Sequence, residues 1–481
     1  MRAHFLAFPL LLLPGLLSAQ DLSETYLAIT PEEPHAGAAV SLLATVWAAD
    51  ETPAGEVEFA DRGVPFATGA LVPRGIRHGQ IAAGRQHTCA IAIDGGVLCW
   101  GRGDFQQLGD GSNVSASSPV RAVGIDAPVV QITAGQFHTC ALTDAGAVWC
   151  WGYNGHGQLG VGDSVDRAVP TAVSGLPGPV DQIGAGSQHT CAVTRAGAAY
   201  CWGQNLYGQL GDGTTTRREL PAMVSGLPGV VEAVAGGGGH TCALLRNTRV
   251  WCWGRNSLGQ LGDGSIDDSV TPVAVIRGAN ATLLAAGGNH SCLVHTNGTL
   301  RCWGYNLYGQ LGDGGDINRL IPVRAFAAGR EVSEVALGEV HSCAIFRQGR
   351  VRCWGRNALG HLGDGSTADN WTGATPQLPG NYWWAVASFG DGSCAQGYNG
   401  EIRCWGYDAY GQAGDGDRGG SELVPVLVSG GVITWPRASA YVWHRVPGGW
   451  TPGLRRVRAT YAGSATLAAS VSNRVDHTTV P

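Results

Sequence analysis

Apolar positions in this chain alternate with small or polar ones in short runs, and the runs recur about every 51 residues. One unit shows the pattern. Val129-Val130-Gln131-Ile132-Thr133-Ala134-Gly135 predicts a strand ending in small residues. His138–Thr143 and Ala147–Trp151 alternate around Asp144-Ala145-Gly146, the composition of a hairpin turn. A Gly-rich loop, Gly157–Asp163, follows, and Pro170–Val173 predicts a last short strand. Seven such units occur, 50 or 51 residues apart. Three or four strands per unit, apolar on both faces of the hairpin, predict the blades of a β-propeller, and seven blades close a ring with few exposed edges.

Strand patterns also flank the repeats. Thr25–Thr30, Ala39–Trp47, Gly55–Phe59 and Val64–Thr68 precede them, and Ala440–Val446, Leu454–Tyr461 and Leu467–Val475 follow. Neither group has the roughly seven strands of a sandwich domain, but together they do. Gly55-Glu56-Val57-Glu58-Phe59, the run Gly453–Gly463 and Ala469-Ser470-Val471-Ser472 resemble segments of bacterial Ig-like repeat domains. The expectation is an all-β chain: an Ig-like β-sandwich formed by residues 20–75 and 433–481, with a propeller of residues 76–432 inserted in it. Insertion needs a guest whose termini lie close together, as those of a ring do. Two independent β extensions are the alternative. Residues 1–19, basic then apolar and ending at Ala19, read as a secretory signal peptide, too short and too Pro-interrupted to span a bilayer.

At 481 residues one core is not expected, which agrees with repeats. The net charge of −6 argues against a nucleic-acid or anionic-membrane surface. The chain contains no lysine, which excludes a P-loop and a Schiff base. Neither Gly-x-Ser-x-Gly nor His-Glu-x-x-His occurs, no cofactor or metal is implied, and a non-enzyme is expected.

All 14 cysteines fall in the hairpins, one on each strand. The pairs are Cys89 with Cys99, Cys140 with Cys150, Cys191 with Cys201, Cys242 with Cys252, Cys292 with Cys302, Cys343 with Cys353 and Cys394 with Cys404. Around a three-residue turn the two members face each other across neighbouring strands, near enough for a disulfide. With export, seven disulfides are expected, one per blade. Metal ligation, for which no Cys-x-x-Cys spacing exists, and free thiols are the alternatives.

Six units carry a histidine two residues before the first cysteine: His87, His138, His189, His240, His290 and His341; the seventh has Gly392. If those strands lined the axis, six imidazoles would approach a metal, but a fixed place in every repeat favours a structural role. Trp100, Trp151, Trp202, Trp253, Trp303, Trp354 and Trp405, in Cys-Trp-Gly, read as inter-blade core, and the Gly-Asp-Gly aspartates as turn residues. The loops after them vary. Asp163, Arg217, Arg218, Asp267, Asp268, Asp316, Asp369 and Asp417 are the expected partner-binding rim, and Asp415-x-Asp417 is a partial calcium motif.

Gly-x-x-His-Thr/Ser-Cys followed by Cys-Trp-Gly-x-Asn-x-x-Gly-Gln-Leu-Gly-Asp-Gly resembles the regulator of chromosome condensation repeat family, over roughly residues 79–432. The resemblance implies a seven-bladed propeller that binds proteins through loops on one face. The reading is a secreted, periplasmic or surface scaffold, monomeric, with an unidentified protein partner and no nucleic acid. Guanine-nucleotide exchange and inhibition of a secreted enzyme are the alternatives the resemblance supplies. Export and the lack of room for an inserted wedge oppose the first.

Overall fold

The computed structural model describes residues 81–429 with their side chains, except 93–94, 327–331, 347–348, 381–382, 389 and 398–400; outside that span it describes strand backbones within 23–73 and 438–479. The expected signal peptide, residues 1–19, lies outside the described residues. The chain divides into two compact units, Met1–Arg74 with Pro436–Pro481, and Gly75–Trp435.

In the first unit each sheet draws strands from both ends of the chain. One runs Ser23–Thr30, Ala39–Ala48, Ala438–Arg445, Val72–Pro73, with Leu42 opposite Val442. The other runs Ser470–Val471, Gly453–Tyr461, Glu56–Asp61, Val64–Ala70, with Phe59 opposite Ala459, and Val475–Thr479 also pairs with Gly453–Tyr461. Of the single strand expected over Leu467–Val475, Ser470–Val471 is described as strand, and Val475–Thr479 as another.

The second unit is seven four-stranded antiparallel sheets, each in sequence order, numbered here as blades 1 to 7. Blade 2 consists of Val129–Ala134, His138–Thr143, Val148–Gly152 and Arg167–Ala172. The first strands of all seven blades line a central channel of about 550 Å³, so the histidine-bearing second strands do not line the axis. The fourth strand begins at Arg167, three residues before the expected Pro170. It is outermost in its sheet and pairs with one strand only, so a residue without an N–H is tolerated in it. No helix among the described residues is long and apolar enough to cross a membrane.

Alternation assigns the two faces of each hairpin to different neighbours. Cys140, Leu142, Val148 and Cys150 of blade 2 pack on Ala192 and Trp202 of blade 3. Ala141 and Trp151, on the other face, pack on Cys89, Ile91 and Val97 of blade 1. The Cys-Trp-Gly tryptophans are thus the wedges between blades, at most 2% exposed. Gly-Gln-Leu-Gly fits against them: a Cβ on Gly211 would stand 2.7 Å from Trp253 Nε1, at a φ of +67°. Trp253→Ala is expected to cost about 3–5 kcal/mol and Gly211→Ala about 2–3 kcal/mol, read as lowered urea midpoints.

The cysteines that face each other in register are disulfide-bonded in every blade, one crosslink per hairpin. Cys89 is bonded to Cys99, Cys140 to Cys150, Cys191 to Cys201 and Cys242 to Cys252. Cys292 is bonded to Cys302, Cys343 to Cys353 and Cys394 to Cys404. The paired Cα atoms are 4.0–4.1 Å apart, as direct opposition on neighbouring strands requires. No free cysteine remains among the described residues. The alternatives of metal-bound or free thiols therefore have no cysteine left to act on.

Candidate functional site

The histidines hold neighbouring blades together. His138 Nε2 meets Thr190 Oγ1 of the next blade at 2.9 Å, and Thr190 Oγ1 donates to the Gln158 carbonyl at 2.9 Å. Trp202 Nε1 donates to that same carbonyl at 2.9 Å, so both its lone pairs are used. The hydroxyl has one proton and gives it to the carbonyl, so the imidazole must donate from Nε2, and burial keeps it neutral. Its Nδ1 is buried without a partner. The clasp repeats from His87–Thr139 to His290–Ser342; His341 Nε2 meets Ser393 Oγ at 2.7 Å, and that hydroxyl meets Ser388 Oγ at 2.8 Å. At ring closure Gln412 still accepts Trp100 Nε1 and Thr88 Oγ1, but Gly392 supplies no imidazole. Burial drives the pKa of His87, His138, His240 and His290 down to about 3, that of His189 to about 4, and that of His341 well below its ordinary value.

Antiparallel order puts the clasp, the Gly-x-x-His turn and the loop after Cys-Trp-Gly at one end of every blade, and the hairpin turn and blade-to-blade link at the other. The expected rim therefore lies on the clasp face, but much of it braces its own loop. Asp163 pairs with Arg167 at 2.6 Å, and Arg218 with Asp212 at 2.8 Å. Asp268 and Asp369 accept the N–H groups of Asn256 and Asn357 at 2.7 and 2.8 Å. Asp417 accepts the Arg418 N–H, and exposed Arg217 reaches the Gly155 carbonyl. Asp267 and Asp316 are exposed. The Gly-Asp-Gly aspartates fold back on the N–H two residues on, as Asp212 does on Thr214 at 3.0 Å.

Two features of this face escaped the sequence reading. The arginine after Cys-Trp-Gly stacks on an aromatic of the preceding blade: Arg255 on Tyr207 at 5.1 Å, Arg356 on Tyr308 at 5.1 Å, and Arg102 on Tyr410 of blade 7 at 4.9 Å. The second is apolar. Val114, Val165, Ile266 and Ile317 at the loop tips, with Leu206 and Leu307 beside them, are 56–66% exposed. The signal of the four tips was a lone Val or Ile in an otherwise polar loop.

The face breaks symmetry between blades 6 and 7. His361 replaces the repeat's glutamine, is 1% exposed, and has no hydrogen-bond partner on either ring nitrogen. Its ring centroid is 5.1 Å from that of His341, and its Nε2 is 3.8 Å from Asp391 Oδ1. Glu339, 3.8 Å from Arg85, has its proton affinity raised, mainly by burial. Among the described residues no three His, Cys, Asp or Glu side chains gather as a ready-made metal cage.

The model of the RCC1-like domain matches residues 35–284, and models of the regulator of chromosome condensation (RCC1) repeat match 282–310, 332–360 and 297–345. The ultraviolet-B receptor UVR8 of Arabidopsis thaliana is 32% identical over 313 residues, 64% of this chain and 60% of the receptor. The human E3 ubiquitin-protein ligase HERC2 is 34% identical over 219 residues, 44% of this chain and 4% of the ligase. The chain thus spans less than two-thirds of these relatives. Among solved structures, Prp20p of Saccharomyces cerevisiae, described with its binding to Gsp1p and histones, superposes with a TM-score of 0.63 at 21% identity over 78% of this chain and 95% of that one. Human WBSCR16 gives 0.60 at 21% over 71% and 100%. At such identity the likeness is one of fold.

Proposed function

The chain belongs to the RCC1-like domain family, and from that premise we propose that it is an exported propeller that binds a partner protein through its clasp face and performs no reaction of its own. The carrying observation is the set of exposed apolar tips, Val114, Val165, Ile266 and Ile317, standing beside arginine–aromatic stacks on a rigid ring. Exposed apolar groups gathered on one face, with arginine and tyrosine near them, have the composition of protein-binding surfaces. Seven buried disulfides support an oxidising compartment. The unit built from both chain ends fits an Ig-like sandwich that carries the propeller, and the chain acts as a monomer.

The test is a pull-down from the native envelope and medium. One variant combines Val165→Asp, Ile266→Asp and Ile317→Asp with Asp267→Ala and Asp316→Ala. Val230→Asp, on the opposite face, is the control. Wild type and control are expected to capture the same protein, and the clasp-face variant to lose it at least tenfold. Release of guanine nucleotide from a captured GTPase would instead favour exchange, and loss of activity of a captured secreted enzyme would favour inhibition. No enriched partner, or one indifferent to the tips, overturns the proposal.

A further inference from the structure

In blades 2 to 6 the loop after Cys-Trp-Gly is held by a buried asparagine: Asn154, Asn205, Asn256, Asn306 or Asn357. Its Oδ1 accepts an N–H five residues on, and its Nδ2 points among oxygens. In blade 5 these are Asp313 Oδ1 at 3.0 Å, the Gly315 carbonyl at 3.1 Å and the Ile317 carbonyl at 3.2 Å. Blade 7 has Asp408 in this place. Its Oδ1 still accepts the expected N–H, that of Ala413, at 2.6 Å. Its Oδ2 replaces the amide nitrogen, on a residue 0% exposed, and has no hydrogen-bond partner. The Gly419 N–H approaches the carboxyl without completing a bond to Oδ2. A group bearing positive hydrogens has been exchanged for an anionic oxygen.

Nearby charges sharpen the conflict. Asp408 has its pKa raised to about 6, chiefly by burial, with Asp415 and Glu422 adding to it. Glu422 is raised in turn by burial, Asp415 and Asp417. In blades 3 and 5 an arginine neutralises the equivalent of Asp415: Arg218 on Asp212 at 2.8 Å and Arg319 on Asp313 at 2.7 Å. In blade 7 the residue paired with the same Cys-Trp-Gly glycine is Glu422, an acid in place of the arginine. The adjacent Arg418 donates to the Ser115 carbonyl of blade 1.

We propose that the loop of blade 7 from Asp408 to Glu422 is a divalent-cation site of the calcium type, in which the ion takes the place of the missing amide group. Asp408 Oδ2 and the Asp415 carboxylate anchor it. Backbone carbonyls of the loop, which serve Nδ2 in the other blades, and water complete the set. Only oxygen is on offer, and calcium accepts carboxylate, carbonyl and water oxygens in irregular arrangements. Such a site needs no cage of three acidic side chains. The ion would tie the loop of the closing blade, whose Gly392 also lacks the histidine clasp.

Calorimetric titration of the chelator-stripped full chain with calcium chloride tests this. Wild type is expected to bind one calcium and to gain about 3 °C or more in Tm at saturation. Asp408→Asn restores the residue of five other blades. It is expected to abolish binding, with a Tm in chelator at or above that of wild type. Asp415→Asn is expected to weaken binding at least tenfold. Two outcomes overturn the proposal. One is no calcium response in wild type with a raised Tm in Asp408→Asn, which means the carboxyl is held protonated. The other is equal binding by wild type and Asp408→Asn, which places calcium elsewhere.

Discussion

Acidification from pH 7 to pH 5 is expected to unfold the propeller. The six clasp histidines are neutral when folded. Nε2 meets a hydroxyl of the next blade, Nδ1 has no partner, and burial holds their pKa near 3 or 4 where a value is resolved. The unfolded chain takes up protons near the ordinary value of 6.5. Between these limits the unfolded state binds more protons, so stability falls as pH falls. The contribution is complete above about pH 6.5 and is lost progressively toward pH 4. At pH 5 each histidine accounts for roughly 2 kcal/mol, and six for on the order of 10 kcal/mol, comparable to the whole stability of a domain. Glu339, Asp408 and Glu422, whose proton affinities are raised, act in the opposite sense but are three groups against six. Tm recorded from pH 7.5 to 4.5 checks this. His240→Gln should flatten the slope by about one proton, and a flat profile in wild type would contradict the neutral-clasp geometry.

The ring was legible because its signals are covalent and periodic. A hairpin with cysteines facing across a three-residue turn fixes its own register, and seven copies fix the count. That the flanking strands needed partners from elsewhere was legible too, because neither group was large enough alone. Contacts between blades were not. Arg255 and Tyr207 lie in different repeats, and nothing in either marks the other as a partner. Histidines read only as structural turned out to have a defined tautomer, which required knowing that Thr190 had already given its proton to Gln158. Charge density in the loops drew attention to the rim, yet Asp163, Arg218, Asp268 and Asp369 serve their own loops. The exposed tips between them are apolar. The sequence reading passed over Asp408, whose meaning depends on the oxygens that surround Asn306 in blade 5.

Full reduction is expected to unfold the propeller, and to do so in one step. Each disulfide closes a sequence separation of 10 residues. In the chain-entropy picture such a loop contributes about 2–3 kcal/mol, so seven contribute on the order of 15–20 kcal/mol, more than a typical domain's net stability. The sulfurs sit between blades, on residues at most 2% exposed, and pack on the next blade's tryptophan as Cys140 does on Trp202. A reductant must therefore wait for blades to part. Loss of one crosslink then weakens both adjoining interfaces and hastens loss of the next. Millimolar reductant in native buffer should leave alkylation undetectable for hours. In intermediate urea, mass spectrometry of alkylated protein should show chains with no modified cysteine and chains with all 14 modified, and little between. Removing the urea without an oxidant should not restore the fold. A fully reduced chain that kept its Tm would sink both this expectation and the argument from disulfides to export, because the clasps and tryptophan wedges would then suffice without an oxidising compartment.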